Sequence, residues 1–105
     1  MTKVVVTLDK SQKVKRVFVS GHSNYDVIGK DIVCASVSVA MYMSANLLSK
    51  VTENFKFIED SKNTEMDLIV EEDNEIINII MENLVYTLQS ISESYAKFLK
   101  IKINE

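Results

Sequence analysis

The sequence predicts an α+β domain of order ββαββαβ, a mixed or antiparallel sheet packed with two helices. Two patterns predict it. Short segments of period-two alternation, rich in β-branched and aromatic residues, lie near both ends and in the middle of the chain. Between them run two longer stretches, one almost free of charge and one with a 3.6-residue apolar repeat. Length sets the scale: 105 residues, 47% hydrophobic and 26% charged, suit a single folded domain over 1–105.

The first strand is expected over 3–9, where Val4, Val6 and Leu8 share a face against Lys3 and Thr7. The second is expected over 14–20, with Lys15, Val17 and Val19 facing opposite to Val14, Arg16 and Phe18. The polar run Asp9-Lys10-Ser11-Gln12 between them has the composition of a hairpin loop. An irregular segment follows, from Gly21 to about Lys30.

From Ile32 to Ser49 the chain carries no charge, a length at which a membrane span must be considered. Ser36, Ser38, Ser44, Asn46 and Ser49 interrupt it. A helix over about 32–50, buried on most sides of a soluble core, is expected instead. Its small residues Ala35, Ser36, Ser38 and Ala40 would let the sheet approach closely.

Strands over 54–59 and 64–71 come next, with Phe55 and Phe57 alternating about Lys56, and Met66, Leu68 and Val70 against Glu65 and Asp67. The loop Asp60-Ser61-Lys62-Asn63 joins them as a hairpin. Glu71, Glu72 and Asp73 precede a second helix near 74–95, where acidic groups suit the positive end of the macrodipole. Its stripe is Ile77, Ile80, Met81, Leu84, Leu88, Ile91 and Tyr95; Ile79 and Tyr86 fall off it. Leu99, Ile101 and Ile103, alternating with Lys100 and Lys102, close the sheet.

Charge narrows the function classes. A net charge of −3 argues against a protein that coats nucleic acid, which needs a basic face. The cluster Lys10, Lys13, Lys15 and Arg16 reads as a solvated hairpin. The run Val4–Val6 with Leu8 is ended by Asp9 too soon for a secretion signal. A single cysteine cannot form an intramolecular bridge, so a reducing compartment, the cytoplasm, is expected. One cysteine and one histidine also make a poor metal-ligand set, and neither metal nor cofactor is expected.

Both glycines, the histidine and the cysteine fall within residues 21–34. Asp31 is a preferred capping residue directly before the uncharged run. If it caps, Cys34 occupies the third helical position, where unpaired N–H groups and the macrodipole would favour a thiolate. His22 ends the second strand and could return beside that helix start to take the thiol proton. The residues alone also allow Cys34 to be a small buried hydrophobe and His22 a solvated strand end.

Gly21-His22, six further residues, then Gly29-Lys30-Asp31-Ile32-Val33-Cys34-Ala35-Ser36-Val37-Ser38 resembles the signature of the ribosomal-processing cysteine protease family, Prp. Ser23 stands where that family most often has alanine. The resemblance extends to chain length and to the order of elements. It implies a cysteine endopeptidase that removes the N-terminal extension of ribosomal protein L-twenty-seven precursor, an apolar extension with an aromatic residue before the cleaved bond.

On that resemblance Cys34 is the nucleophile and His22 the general base, then the acid that protonates the leaving amine. Asp31 either orients His22 or caps the helix. Ser38, four residues after Cys34, supports the thiol from the same helix face or bonds back to the Cys34 carbonyl. Helix-start N–H groups, that of Cys34 included, are the expected oxyanion donors. Gly21 and Gly29 would hinge a loop over residues 23–30 whose Tyr25, Val27 and Ile28 cover the substrate. The resemblance further implies a homodimer, with which Ile79 and Tyr86 are compatible.

The partners expected are thus a ribosomal protein precursor and a second copy of the chain, with no direct nucleic acid and no membrane. Two other classes remain on the residues alone. One is a non-catalytic ribosome-associated binding module; the other is a thiol redox sensor, which would lack a second cysteine to resolve a sulfenic acid.

Overall fold

A computed structural model describes residues 1–21 and 28–105, with residues 28–31 described by their backbone. Its elements are β1 (Thr2–Leu8), β2 (Val14–Ser20), α1 (Ile28–Val51), β3 (Phe55–Asp60), β4 (Glu65–Val70), α2 (Glu75–Ser94) and β5 (Leu99–Asn104). The strands form one mixed sheet of order β3-β4-β2-β1-β5. Neighbouring strands run antiparallel except β1 and β5, which are parallel because α2 carries the chain back across the sheet.

Alternation places one face of every strand in the core: Val4 and Val6, Val17 and Val19, Leu68 and Val70, and Leu99 are all buried. Both helices lie on that face, and they pack against each other. The opposite phase expected for Val14 and Val17 is corrected. Thr7 pairs with Arg16 but Leu8 pairs with Val14, so Lys15 is the extra residue of a β-bulge. The bulge brings Val14 onto the same buried face as Val17.

The first helix differs from expectation in two ways. It begins at Ile28, so Gly29, Lys30 and Asp31 belong to its first turn rather than to a loop. Nothing in the sequence stops the extension: the chain has no proline, and a helical glycine costs only about 1 kcal/mol. It is also buried on one side, not most sides. Val33, Val37, Met41 and Leu48 face the core, whereas Ile32, Val39, Met43 and Leu47 are exposed. Ala35 is exposed too, so the sheet is met by larger side chains than expected.

The second helix is capped by Asn74, whose Oδ1 accepts from the Ile77 N–H at 2.9 Å. Ile77, Met81, Leu84, Val85 and Leu88 are its buried residues, four of them from the expected stripe. Glu72, just before the helix start, directs its carboxylate to side-chain donors, the N-cap Asn74 among them. Its carboxylate accepts from Thr52 Oγ1 at 2.6 Å and from Asn54 and Asn74 Nδ2 at 3.1 and 3.2 Å. These hydrogen bonds, that from Thr52 above all, hold the Glu72 carboxyl below the usual carboxylate range.

Candidate active site

At one end of the sheet, the start of β1, the end of β2 and the β3–β4 hairpin surround a cleft of about 290 Å³ beside α1. Three α1 residues at four-residue spacing, Cys34, Ser38 and Tyr42, line it in a row. Cys34 is partly exposed there. Thr2, Val19, Ser20 and Gly21 form the wall nearest the strand ends. The hairpin forms the far wall with Glu59, Asp60, Ser61, Thr64, Glu65 and Met66.

Thr2 Oγ1 lies 3.5 Å from Cys34 Sγ, a hydrogen bond in which either atom can donate. Tyr42 donates its phenol proton to Glu59 Oε2 at 2.5 Å and meets Phe57 edge-on, with ring centroids 5.7 Å apart. The hydrogen bond to Glu59 is the main reason that the Tyr42 phenol is pushed above its ordinary range. Asn63 donates its backbone N–H to Asp60 Oδ1 and its Nδ2 to Oδ2, at 3.1 and 2.7 Å. These bonds, the backbone one first, lower the Asp60 carboxyl. Among the described residues the cleft is lined by carboxylates and no lysine or arginine.

Gly21 sits at φ +82°, in the left-handed region, and a Cβ there would stand 2.5 Å from the Met1 carbonyl oxygen. It therefore both turns the chain out of β2 and admits the first residues of β1 to the cleft. The hydroxyls that bond back to the carbonyl four residues earlier include those of Ser36, to Ile32 at 2.7 Å, and Ser44, to Ala40 at 2.9 Å. Ser38 lines the cleft beside Cys34.

Of the residues that the sequence pointed to, the fold brings Gly21, Cys34 and Ser38 to one cleft. His22, Tyr25 and Val27 lie outside the described residues, as do the side chains of Ile28 and Asp31. A capping role for Asp31 is excluded by the start of α1 at Ile28. Gly29, expected as a loop hinge, likewise sits in the first helical turn. Cys34 is the seventh helical residue, not the third, so its N–H is taken up in the helix ladder. The unpaired N–H groups lie at the helix start, about a turn before Cys34, so the Cys34 amide is not free to donate to an oxyanion.

Thr2, Tyr42 and Glu59 were missed. Tyr42 continues the Cys34–Ser38 spacing by another four residues, and Thr2 continues the inward phase of Val4 and Val6. Both signals were readable. Glu59 reaches the site only through the pairing of β3 with β4.

A sequence model of the family described as Cysteine protease Prp matches residues 1–100. The ribosomal processing cysteine protease Prp of Staphylococcus aureus is 28% identical over 103 residues, covering 96% of this chain and 97% of that protein. The crystal structure of the S. aureus protease Prp with a substrate peptide superposes with a TM-score of 0.91 at 24% identity, over 99% of this chain and all of the other. A second structure of that protease, with a covalently linked product peptide, gives 0.86 at 25% identity over the same shares. A Streptococcus mutans protein gives 0.87 at 21% identity, over 99% of this chain and 94% of its own. The match over nearly the whole length, on a fold that seats the signature cysteine in a cleft, has one consequence: the chain belongs to the Prp family of cysteine proteases.

Proposed function

We propose that this protein is a cytoplasmic endopeptidase that removes the N-terminal extension of ribosomal protein L-twenty-seven precursor, using Cys34 as nucleophile and His22 as base. The observation that carries the reading is the cleft, into which Cys34 and Ser38 open together with Gly21, the residue before His22. Peptide binding there is supported by the S. aureus relatives, which hold a substrate peptide and a covalently linked product peptide. Val19, Val37 and Met66 supply apolar walls for an apolar extension. A lone free thiol suits a reducing compartment.

In this mechanism His22 takes the Cys34 proton, and Sγ attacks the scissile carbonyl carbon. The C–N bond breaks as His22 returns the proton to the leaving amine. The acyl group stays on sulfur as a thioester. Water, giving a proton to His22, then attacks the thioester carbonyl; the acid leaves and the thiol is regenerated. With the helix starting at Ile28, the role we assign to Asp31 is to orient His22, and Ser38 supports the sulfur from one turn further along.

We also assign the exposed side of the helical layer to a second copy of the chain. Val39, Met43 and Leu47 of α1 and Ile79 and Tyr86 of α2 point away from the sheet, and all are 46% exposed or more. A surface of this kind is expected to be covered.

The test is a peptide spanning the extension junction, incubated with wild type, Cys34→Ala and His22→Ala. Wild type is expected to give two fragments, and each variant to lose roughly 10³-fold or more in turnover. Cleavage undiminished in either variant overturns the assignment. Binding of an uncut peptide by the wild type identifies a binding module instead.

A further inference from the structure

We propose that Thr2 is a positioning residue for the nucleophile: its hydroxyl, donated to Cys34 Sγ, aims the sulfur and supports its negative charge. The proposal rests on the reading of Cys34 as the attacking group. Thr2 opens β1 at 5% exposure, and Ser44 is the other buried polar side chain among the described residues. Ser44 satisfies its hydroxyl within its own helix turn, on the Ala40 carbonyl. Thr2 instead spends its hydroxyl on the sulfur of a residue 32 positions away, at 3.5 Å. Sulfur's larger radius makes that an ordinary hydrogen-bond length.

A structural role does not require this hydroxyl. Valine has nearly the same shape, favours strands equally, and would fill the site without a group that must be satisfied. What threonine adds is a rotatable donor. A thiol can donate to Thr2 Oγ1, but a thiolate can only accept, so once the proton leaves the hydroxyl turns and donates. The bond is then charge-assisted and stronger. It favours the state that attacks over the state that rests.

The placement is also tightly held. The Thr2 N–H donates to the Phe98 carbonyl at 2.9 Å, and Thr2 pairs with Leu99 of β5. On the other side the Met1 carbonyl closes on Gly21, where no Cβ fits. The hydroxyl is therefore delivered by the sheet, and the sulfur by α1.

The experiment compares Thr2→Val and Thr2→Ser with wild type in the full chain, folding being checked by thermal melting. The readouts are the rate of Cys34 alkylation by iodoacetamide at neutral pH, and kcat and KM on the junction peptide. Thr2→Val is expected to slow alkylation and lower kcat by roughly tenfold with KM unchanged, and Thr2→Ser to restore both. Alkylation and kcat equal to wild type in a folded Thr2→Val overturn the proposal. So does a loss that Thr2→Ser fails to restore. If the wild type leaves the peptide uncut while Thr2→Val still slows alkylation, the hydrogen bond stands and the protease assignment falls.

Discussion

Gly21 is the residue on which the geometry of the cleft turns. Its φ of +82° is costly for any side chain, and its missing Cβ leaves room for the Met1 carbonyl. Gly21→Ala is expected to destabilise the chain by about 1–2 kcal/mol, lowering Tm by roughly 5–15 °C. Catalysis should fall with it, because the displaced strand carries Thr2. A melting curve and a peptide assay on that variant check both; an unchanged Tm contradicts the account. The glycine was legible from the sequence as a flank of His22, whereas its contact with the chain start was not. That contact depends on the register of β1 against β2, which the composition of the hairpin loop does not set. Thr2 escaped for a related reason: its inward phase was visible, but its neighbour comes from α1.

At the scale of elements, the sequence specified strands and helices within a few residues, since alternation and the 3.6 repeat follow directly from which faces are buried. The bulge at Lys15 was hidden because in Val14-Lys15-Arg16-Val17 each strand face carries one valine and one charged residue, so neither phase is preferred. The start of α1 was hidden because Asp31 is as plausible ahead of a helix as inside its first turn. The joint between α1, β3 and α2 carries a prediction of its own. Glu72 there accepts from Thr52, Asn54 and Asn74 and is held below its ordinary value of 4.5. Its folded carboxyl being depressed, the stability that it contributes is present above about pH 4.5 and lost as pH falls through the lowered value. Glu72→Gln should therefore melt below wild type at neutral pH, with the gap closing under acid. A constant gap in melting temperature across that range contradicts this clasp.

For the whole molecule, the near-absence of charge in α1 acquires a second meaning. One side of the helix makes the core with Val33, Val37, Met41 and Leu48, and the other presents Val39, Met43 and Leu47 outward. The sequence showed an uncharged helix but could not divide it between core and surface, since both halves are apolar. We expect the outward half to bury against a second copy. Met43→Glu should convert a dimer into a folded monomer, measured by sedimentation equilibrium at micromolar concentration. A wild-type monomer, or a variant that stays dimeric, contradicts that interface. The same fold places the acidic hairpin and the Tyr42–Glu59 pair at the far end of the cleft, roughly 12 Å along α1 from Cys34 at 1.5 Å per residue.

The proposed function depends on Cys34 attacking the peptide bond. The most direct measurement is an acid-quenched single turnover of the junction peptide, with intact mass and fragment mapping of the protein. The account predicts an early adduct equal to the N-terminal fragment as its acyl group, mapped to Cys34 and absent in Cys34→Ala. An adduct on another residue, or cleavage by Cys34→Ala at the wild-type rate, would contradict it.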